Sequence, residues 1–178
     1  MQKVLLHACC AVCASYSIIK LIEEGYKPIV YFYNPNIYPK KEYDIRLNEL
    51  INYCEEKNIE IIIGDYDDLA FESLVSEYKN EPEKGKRCDV CFKLRLENSA
   101  QLAKKLDIEL FTTTLTISPH KLTKQVFEAG QKAAQINGVK FLQCDFKKQD
   151  GFKKAQQIAK EYNMYKQNYC GCRYSIRP

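Results

Sequence analysis

The chain has 178 residues, 46% of them hydrophobic and 28% charged, which suits one globular domain over residues 1–178 with a substantial core. The net charge of +4 is compatible with a nucleic-acid partner without requiring one. No apolar run approaches the length of a membrane span, and MQKVLLHACC lacks the long apolar stretch and cleavage site of a signal peptide. The expected location is therefore the cytoplasm, with no membrane contact.

Apolar runs alternate with amphipathic stretches along the chain. Residues 3–6 read as a short buried strand, and 14–24 as a helix with Ile18, Leu21 and Ile22 on one face, ended by Gly25. Residues 28–33 (PIVYFY) form a second strand before a turn at 34–36. A long helix over 41–57, a third strand over 59–63 and a helix over 67–78 follow. The polar stretch NEPEKGK (80–86) reads as a loop. Then come a helix over 92–106, a fourth strand over 110–115, a helix over 121–136, a short strand over 139–142 and a last helix over 151–162. Such alternation predicts an α/β fold, a parallel sheet with helices on both faces. Ligands of such sheets bind beyond the carboxyl ends of the strands. That edge would collect Cys9 and Cys10, residues 34–36, Asp65 and Asp67, and residues 116–121.

Nine cysteines in a reducing compartment point to metal or redox chemistry rather than structural disulfides. Seven fall in three groups: Cys9, Cys10 and Cys13; Cys88 and Cys91; Cys170 and Cys172. Cys54 and Cys144 stand alone and read as small buried hydrophobes. On a continuing strand Cys9 and Cys10 would point to opposite faces, so a shared centre needs them where the strand has ended. Cys10 and Cys13 then share a face of the first helical turn, where the helix N-terminus favours a thiolate. Cys88-Asp-Val-Cys91 is the usual chelating spacing for zinc or iron–sulfur sites, and it is placed between the polar loop and the next helix. Iron–sulfur, structural zinc and an unmetallated thiol pair all remain open on spacing alone. Five thiols exceed the four that a tetrahedral zinc or a cubane cluster uses, so the spare one points to a second iron or a redox role. Cys170-Gly-Cys172 permits a tight, easily reduced local disulfide, a dithiol able to relay electrons.

His7 reads as a buried, hydrogen-bonded residue, and His120 as a substrate contact at the site edge. Asp67 is read either as a general acid or as a helix cap. Neither a dinucleotide fingerprint nor a Walker phosphate loop is present.

Six stretches run in order through nearly the whole chain: LHACCAVC (6–13), FYNPNIYPKKEYDIR (32–46), RCDVCFKLRL (87–96), FTTTLTISPHK (111–121), DFKKQDG (145–151) and YKQNYCGCRYS (165–175). In these the sequence resembles the cobalamin-independent epoxyqueuosine reductases (QueH). Val12 stands where that family favours proline, and valine still permits the turn into a helix.

The resemblance implies the last step of queuosine synthesis. An epoxide on a modified guanosine at the tRNA wobble position is reduced to an alkene with loss of water, using two electrons and two protons. It implies a fold similar to the adenine-nucleotide hydrolase-like (Rossmann-like) proteins and a [4Fe-4S] cluster on Cys9, Cys10, Cys88 and Cys91. Cys170 and Cys172 match the family's redox-active pair. Cys13 would then hold an additional iron ion or act as a donor beside the cluster, and Asp67 or Asp89 would deliver a proton. Tyr33, Asn34, Asn36 and Tyr38 would contact the base, and Lys121 and Lys124 the phosphates of the anticodon loop. The electron donor is not named by any motif. Two rivals use the same residues: a non-catalytic zinc-binding RNA adaptor, and a tRNA-thiolating enzyme. The second would need a phosphate loop where HACCAVC stands.

Overall fold

A computed structural model describes residues 1–176. Five parallel strands, β1 (Gln2–His7), β2 (Tyr26–Phe32), β3 (Ile61–Ile63), β4 (Leu110–Thr113) and β5 (Lys140–Phe141), form one sheet in the order β3-β2-β1-β4-β5. They alternate with α1 (Ala11–Glu23), α2 (Lys40–Glu56), α3 (Asp68–Val75), α4 (Lys86–Lys105), α5 (Thr123–Asn137) and α6 (Gly151–Glu161). Val4, Leu5 and Leu6 are fully buried, because β1 is central, pairing β2 on one side (Leu5 with Ile29) and β4 on the other (Leu5 with Phe111). A strand covered on both faces has no polar side to show, hence the continuous apolar run.

From β1 the chain steps outward one way to β2 and β3. It then crosses back and steps the other way to β4 and β5. Right-handed crossovers therefore put α1 and α2 on one face and α4 and α5 on the opposite one. α6 packs on α1, and α4 packs on α5. The reversal between β1 and β4 is the topological switch point, where such sheets open a crevice at their carboxyl edge.

The predicted elements are all present with shifted ends, and one shift matters. The helix expected from residue 92 begins at Lys86, with Gly85 as its N-cap. Cys88 and Cys91 therefore lie inside the opening turns of α4, not in a loop before it. The strand expected over 110–115 stops at Thr113 and tightens into a 3₁₀ turn, Thr114–Ile117, capped by the Thr113 hydroxyl.

The segment after α6 has little regular structure, yet it is held firmly. Arg46, on α2, is 1% exposed. Its Nε donates to Glu42 Oε1 at 2.8 Å, while Nη1 and Nη2 donate to the carbonyls of Cys170 (3.0 Å) and Tyr169 (3.1 Å). Tyr165 donates its hydroxyl proton to the other Glu42 oxygen at 2.7 Å, and the Tyr38 amide reaches the Gly171 carbonyl at 2.8 Å. Gly171 has φ +119, and a Cβ there would meet Ile37 at 3.0 Å and Arg46 Nη1 at 3.1 Å, so only glycine lets the tail lie this close. Arg46→Met leaves a buried carboxylate and two carbonyls without their cation. It is expected to cost about 3–5 kcal/mol in urea unfolding and to expose residues 165–176 to protease. A variant as stable and as resistant as the parent would contradict this role.

Candidate metal centre

Three sulfurs gather where β1 ends. Cys10 is the N-cap of α1 in extended backbone, φ −169, and its Sγ accepts from the Cys13 amide at 3.4 Å. This turn points Cys9, Cys10 and Cys13 inward together, with their sulfurs all within 4.8 Å of one another, and among the described residues no other three metal-ligating groups meet so closely. Cys9 Sγ is 4.0 Å from Cys10 Sγ and 3.9 Å from Thr114 Oγ1, the latter from the 3₁₀ turn across the switch point. Gln167 Nε2 donates to Cys10 Sγ at 3.0 Å, so the tail closes over the group.

The three thiols act on one another through hydrogen bonds. Hydrogen bonds from Cys10 and Cys13 draw Cys9 well below the ordinary thiol range against the pull of burial, helped by the charges of Lys121 and Arg95. Cys10 is pulled down by Cys13, but Cys9 and burial outweigh that and push it up to about 12. Cys13 is raised by its bonds to Cys10 and Cys9 and by burial. A bound cation would favour the thiolate form of all three.

Cys88 and Cys91 sit three apart on α4 and share a face. Burial raises both thiols, Cys91 to about 12. Cys88 Sγ accepts from the Lys84 amide at 3.3 Å, and Arg95, one turn along α4, approaches Cys91 Sγ at 3.8 Å. Both cysteine groups therefore stand at helix N-termini, where partial positive charge suits thiolates.

A cavity of about 310 Å³ opens over the triad, walled by Cys9, Cys13, Ser118, His120, Lys121, Phe152, Gln156 and residues 166–170. A tighter recess of about 40 Å³ lies against Cys88, Cys91 and Cys172. The two share Glu83, His120, Lys121 and Cys170 as common walls, so both thiol groups open on one continuous region. Burial works to lower Lys121, but the sulfurs of Cys170, Cys9 and Cys13 prevail and raise it.

Other expected residues lie elsewhere. All nine cysteines are free thiols, so the tight Cys170–Cys172 disulfide is not formed. The chain turns at Gly171, leaving Cys170 on the cavity wall while Cys172 packs with Phe71, Val75 and Cys91. Asp67 caps α3 by accepting from the Ala70 amide at 2.8 Å. Asp89 accepts from Gln125 at 2.9 Å and faces the groove between α4 and α5; neither acid lines the thiol cavities. Asn34 is fully buried, donating to the Ala8 carbonyl at 2.8 Å and accepting from Arg95 at 2.5 Å. Asn36 is buried beneath Gly171, and the Tyr33 ring stacks on Tyr31. That loop supports the site from behind rather than lining it. Lys124 is exposed and pairs with Glu128 at 3.9 Å. Cys54 is a fully buried core residue and Cys144 a half-buried one.

Sequence reasoning missed Arg95, Arg46 and Gln167. Arg95 follows Cys91 by four residues, and Arg46 follows Glu42 by four; both spacings are readable as helix neighbours. Gln167 had no such signal.

The match to a family model, "Epoxyqueuosine reductase QueH", extends over residues 4–178. The chain belongs to this family. A relative named epoxyqueuosine reductase QueH from Acinetobacter baylyi is 38% identical, with 99% of this chain and 81% of the relative covered. The one from Haemophilus influenzae is also 38% identical, covering 99% and 72%, and that from Thermotoga maritima is 33% identical, covering 99% and 91%. Two solved structures share the fold at low identity. The predicted subunit of a tRNA methyltransferase from Methanocaldococcus jannaschii has TM-score 0.60 and 15% identity, covering 90% of this chain and 75% of that one. The U34-tRNA thiolase NcsA from Methanococcus maripaludis, solved with its [4Fe-4S] cluster, has TM-score 0.57 and 14% identity, covering 98% and 61%. These likenesses show the fold, a parallel α/β sheet with helices on both faces. Among the described residues no helix is long and apolar enough to cross a membrane.

His7 supports the site from β1. The shorter contacts assign its tautomer: Nε2–H donates to the Tyr33 carbonyl at 3.1 Å and Nδ1 accepts from the Thr113 hydroxyl at 2.9 Å, because a carbonyl can only accept. The Arg95 Nε–H at 3.4 Å from Nε2 is then a charge contact and not a hydrogen bond. Burial, with the charge of Arg95, lowers it from 6.5 to about 3. The folded ring is therefore neutral, while the unfolded chain takes up a proton below 6.5. Stability from this group is present above 6.5 and lost as pH falls toward 3, by up to about 4 kcal/mol. Urea unfolding of metal-free protein should lose stability more steeply over that range than His7→Gln does; equal slopes would contradict the assignment.

Proposed function

We propose that this chain reduces epoxyqueuosine in tRNA to queuosine, by two-electron deoxygenation at an iron–sulfur centre held by Cys9, Cys10, Cys88 and Cys91. The observation that carries the reading is the meeting of two thiol groups, from the N-termini of α1 and α4, on one cavity region in a chain of the epoxyqueuosine reductase family. The donor set fits iron and sulfide. It is all thiolate, it stands at two helix N-termini, and Arg95 and Lys121 offset its negative charge. Cubane ligands bind different irons, which suits groups contributed by separate helices. Cys13, the fifth thiol, has its sulfur within 4.8 Å of those of Cys9 and Cys10, and would hold an additional iron beside the centre. A bound centre supplies the electrons that convert epoxide, two electrons and two protons into alkene and water.

The chain's own residues do the rest. A cavity near 310 Å³ lies at the small end of ligand sites and suits one extruded nucleoside rather than a duplex. Bases of an anticodon loop are free to be splayed and stacked. Phe152, Tyr169 and Lys166, on the cavity wall, take the contact role that the 33–36 loop was expected to play, beside His120 and Lys121. Cys170 stands on both cavity walls and, with Cys172, forms the dithiol that passes electrons inward from a separate donor.

Anaerobically purified protein should be brown, contain acid-labile sulfide with a modest excess of iron over it, and reduce tRNA-borne epoxyqueuosine when given a low-potential reductant. Cys172→Ala should keep the colour and lose roughly tenfold or more in repeated turnover with a protein electron donor. A colourless, zinc-loaded protein that leaves the epoxide intact would favour the RNA adaptor and overturn the proposal.

A further inference from the structure

The reaction needs something positive at the oxygen that leaves, and the acids expected to serve it lie outside the cavity. Asp67 is a helix cap and Asp89 faces a different groove. The cations nearby are mostly engaged. Arg46 holds Glu42 and the tail carbonyls. Arg95 holds Asn34 and approaches Cys91. Arg87 is tied to the carbonyls of Tyr78 and Lys79 at 3.2 Å each. Lys147 donates to the Lys121 carbonyl at 2.8 Å.

Lys121 differs from all of these, and from Lys166, which lines only the larger cavity. It follows the 3₁₀ turn after β4, at the switch point, and it lines both the 310 Å³ cavity and the smaller recess. Its backbone is fixed on both sides, the amide bonding to the Ser118 carbonyl at 3.2 Å and the carbonyl to Lys147. Among the described residues no hydrogen-bond acceptor or carboxylate engages its ammonium; what acts on it is burial, the sulfurs of Cys170, Cys9 and Cys13, and the opposing charge of Arg95. A half-buried cation on a held backbone, lining both cavities beside the thiol groups and without a partner of its own, is suited to a developing negative charge.

We propose that Lys121 is a catalytic residue whose ammonium binds the epoxide oxygen and stabilises the charge that gathers there as the C–O bond breaks. The role rests on the epoxyqueuosine reading above. The balance is that reading's own. A low-potential one-electron donor supplies two electrons in all, which the bound centre would relay; both epoxide C–O bonds break, and the carbons keep a double bond. The oxygen leaves as water with two protons from solvent. Lys121 donates a hydrogen bond, contributes no electrons and is unchanged at the end.

The test uses the full chain, reconstituted anaerobically, as wild type, Lys121→Met and Lys121→Arg. Three quantities are read: the visible spectrum of the centre, the affinity for epoxyqueuosine-bearing tRNA without reductant over a range of salt, and the single-turnover rate once reductant is added. Lys121→Met is expected to keep the spectrum, keep affinity within about twofold and lose on the order of 100-fold in rate. Lys121→Arg should recover part of that loss. A Met variant that reduces bound substrate at the wild-type rate overturns the role. So does weakened affinity with a salt slope shallower by about one charge, the mark of a phosphate contact. Loss of the spectrum overturns it as well, since Lys121 would then serve the centre and not the substrate. Wild-type protein that binds the tRNA but never reduces it overturns the function itself, and this role with it.

Discussion

Everything at this site depends on where two helices begin. α1 starts with Cys10 as its cap and Cys13 in its first turn, and α4 carries Cys88 and Cys91 in its opening turns. Both starts lie at the carboxyl edge of the sheet, on opposite faces, because the strand order reverses between β1 and β4. A helix N-terminus holds partial positive charge, and two of them near one cavity make a place where several thiolates tolerate each other. Without the reversal, both helices would lie on one face and the thiol groups would open apart.

Burying sulfur anions needs compensating charge, and the fold supplies it from arginines set behind the cavity rather than in it. Arg95 joins the two halves of the site. It approaches Cys91 on its own helix and bonds Asn34 beyond β2, and its charge reaches Cys9 and His7. Arg46 does similar work for the tail, so that Cys170 is placed by bonds to its backbone and its thiol is left free. Rigid support and available chemistry are thereby divided between different residues. On the cavity side, among the described residues, Lys121 is the lysine that lines both cavities.

The parallel sheet, its element order and its ligand edge were legible because the centre of β1, Val4-Leu5-Leu6, is an apolar run without a polar face and the helices show their periodicity. The start of α4 was not. NEPEKGKR reads as a polar loop by composition, while its last two residues are helical, with Gly85 capping and Arg87 tying back the carbonyls of Tyr78 and Lys79. Asn34 and Asn36 misled for a related reason. A polar side chain after a strand suggests a ligand contact, but a buried switch point also has backbone carbonyls to satisfy, and Asn34 is consumed by one of them and by Arg95. The tail was the least legible part. It has no periodicity to read, and its place is set by Glu42 and Arg46 more than a hundred residues earlier.

The central claim is that the two thiol groups, distant in sequence, hold one centre together. Its most direct test is the iron, sulfide and visible spectrum of Cys91→Ala beside those of Cys10→Ala, each purified anaerobically. One shared centre predicts that either substitution alone removes the same absorption and lowers iron and sulfide in parallel. A Cys91→Ala protein with the full wild-type spectrum and metal content would contradict it, leaving the centre to the cysteines after β1 alone.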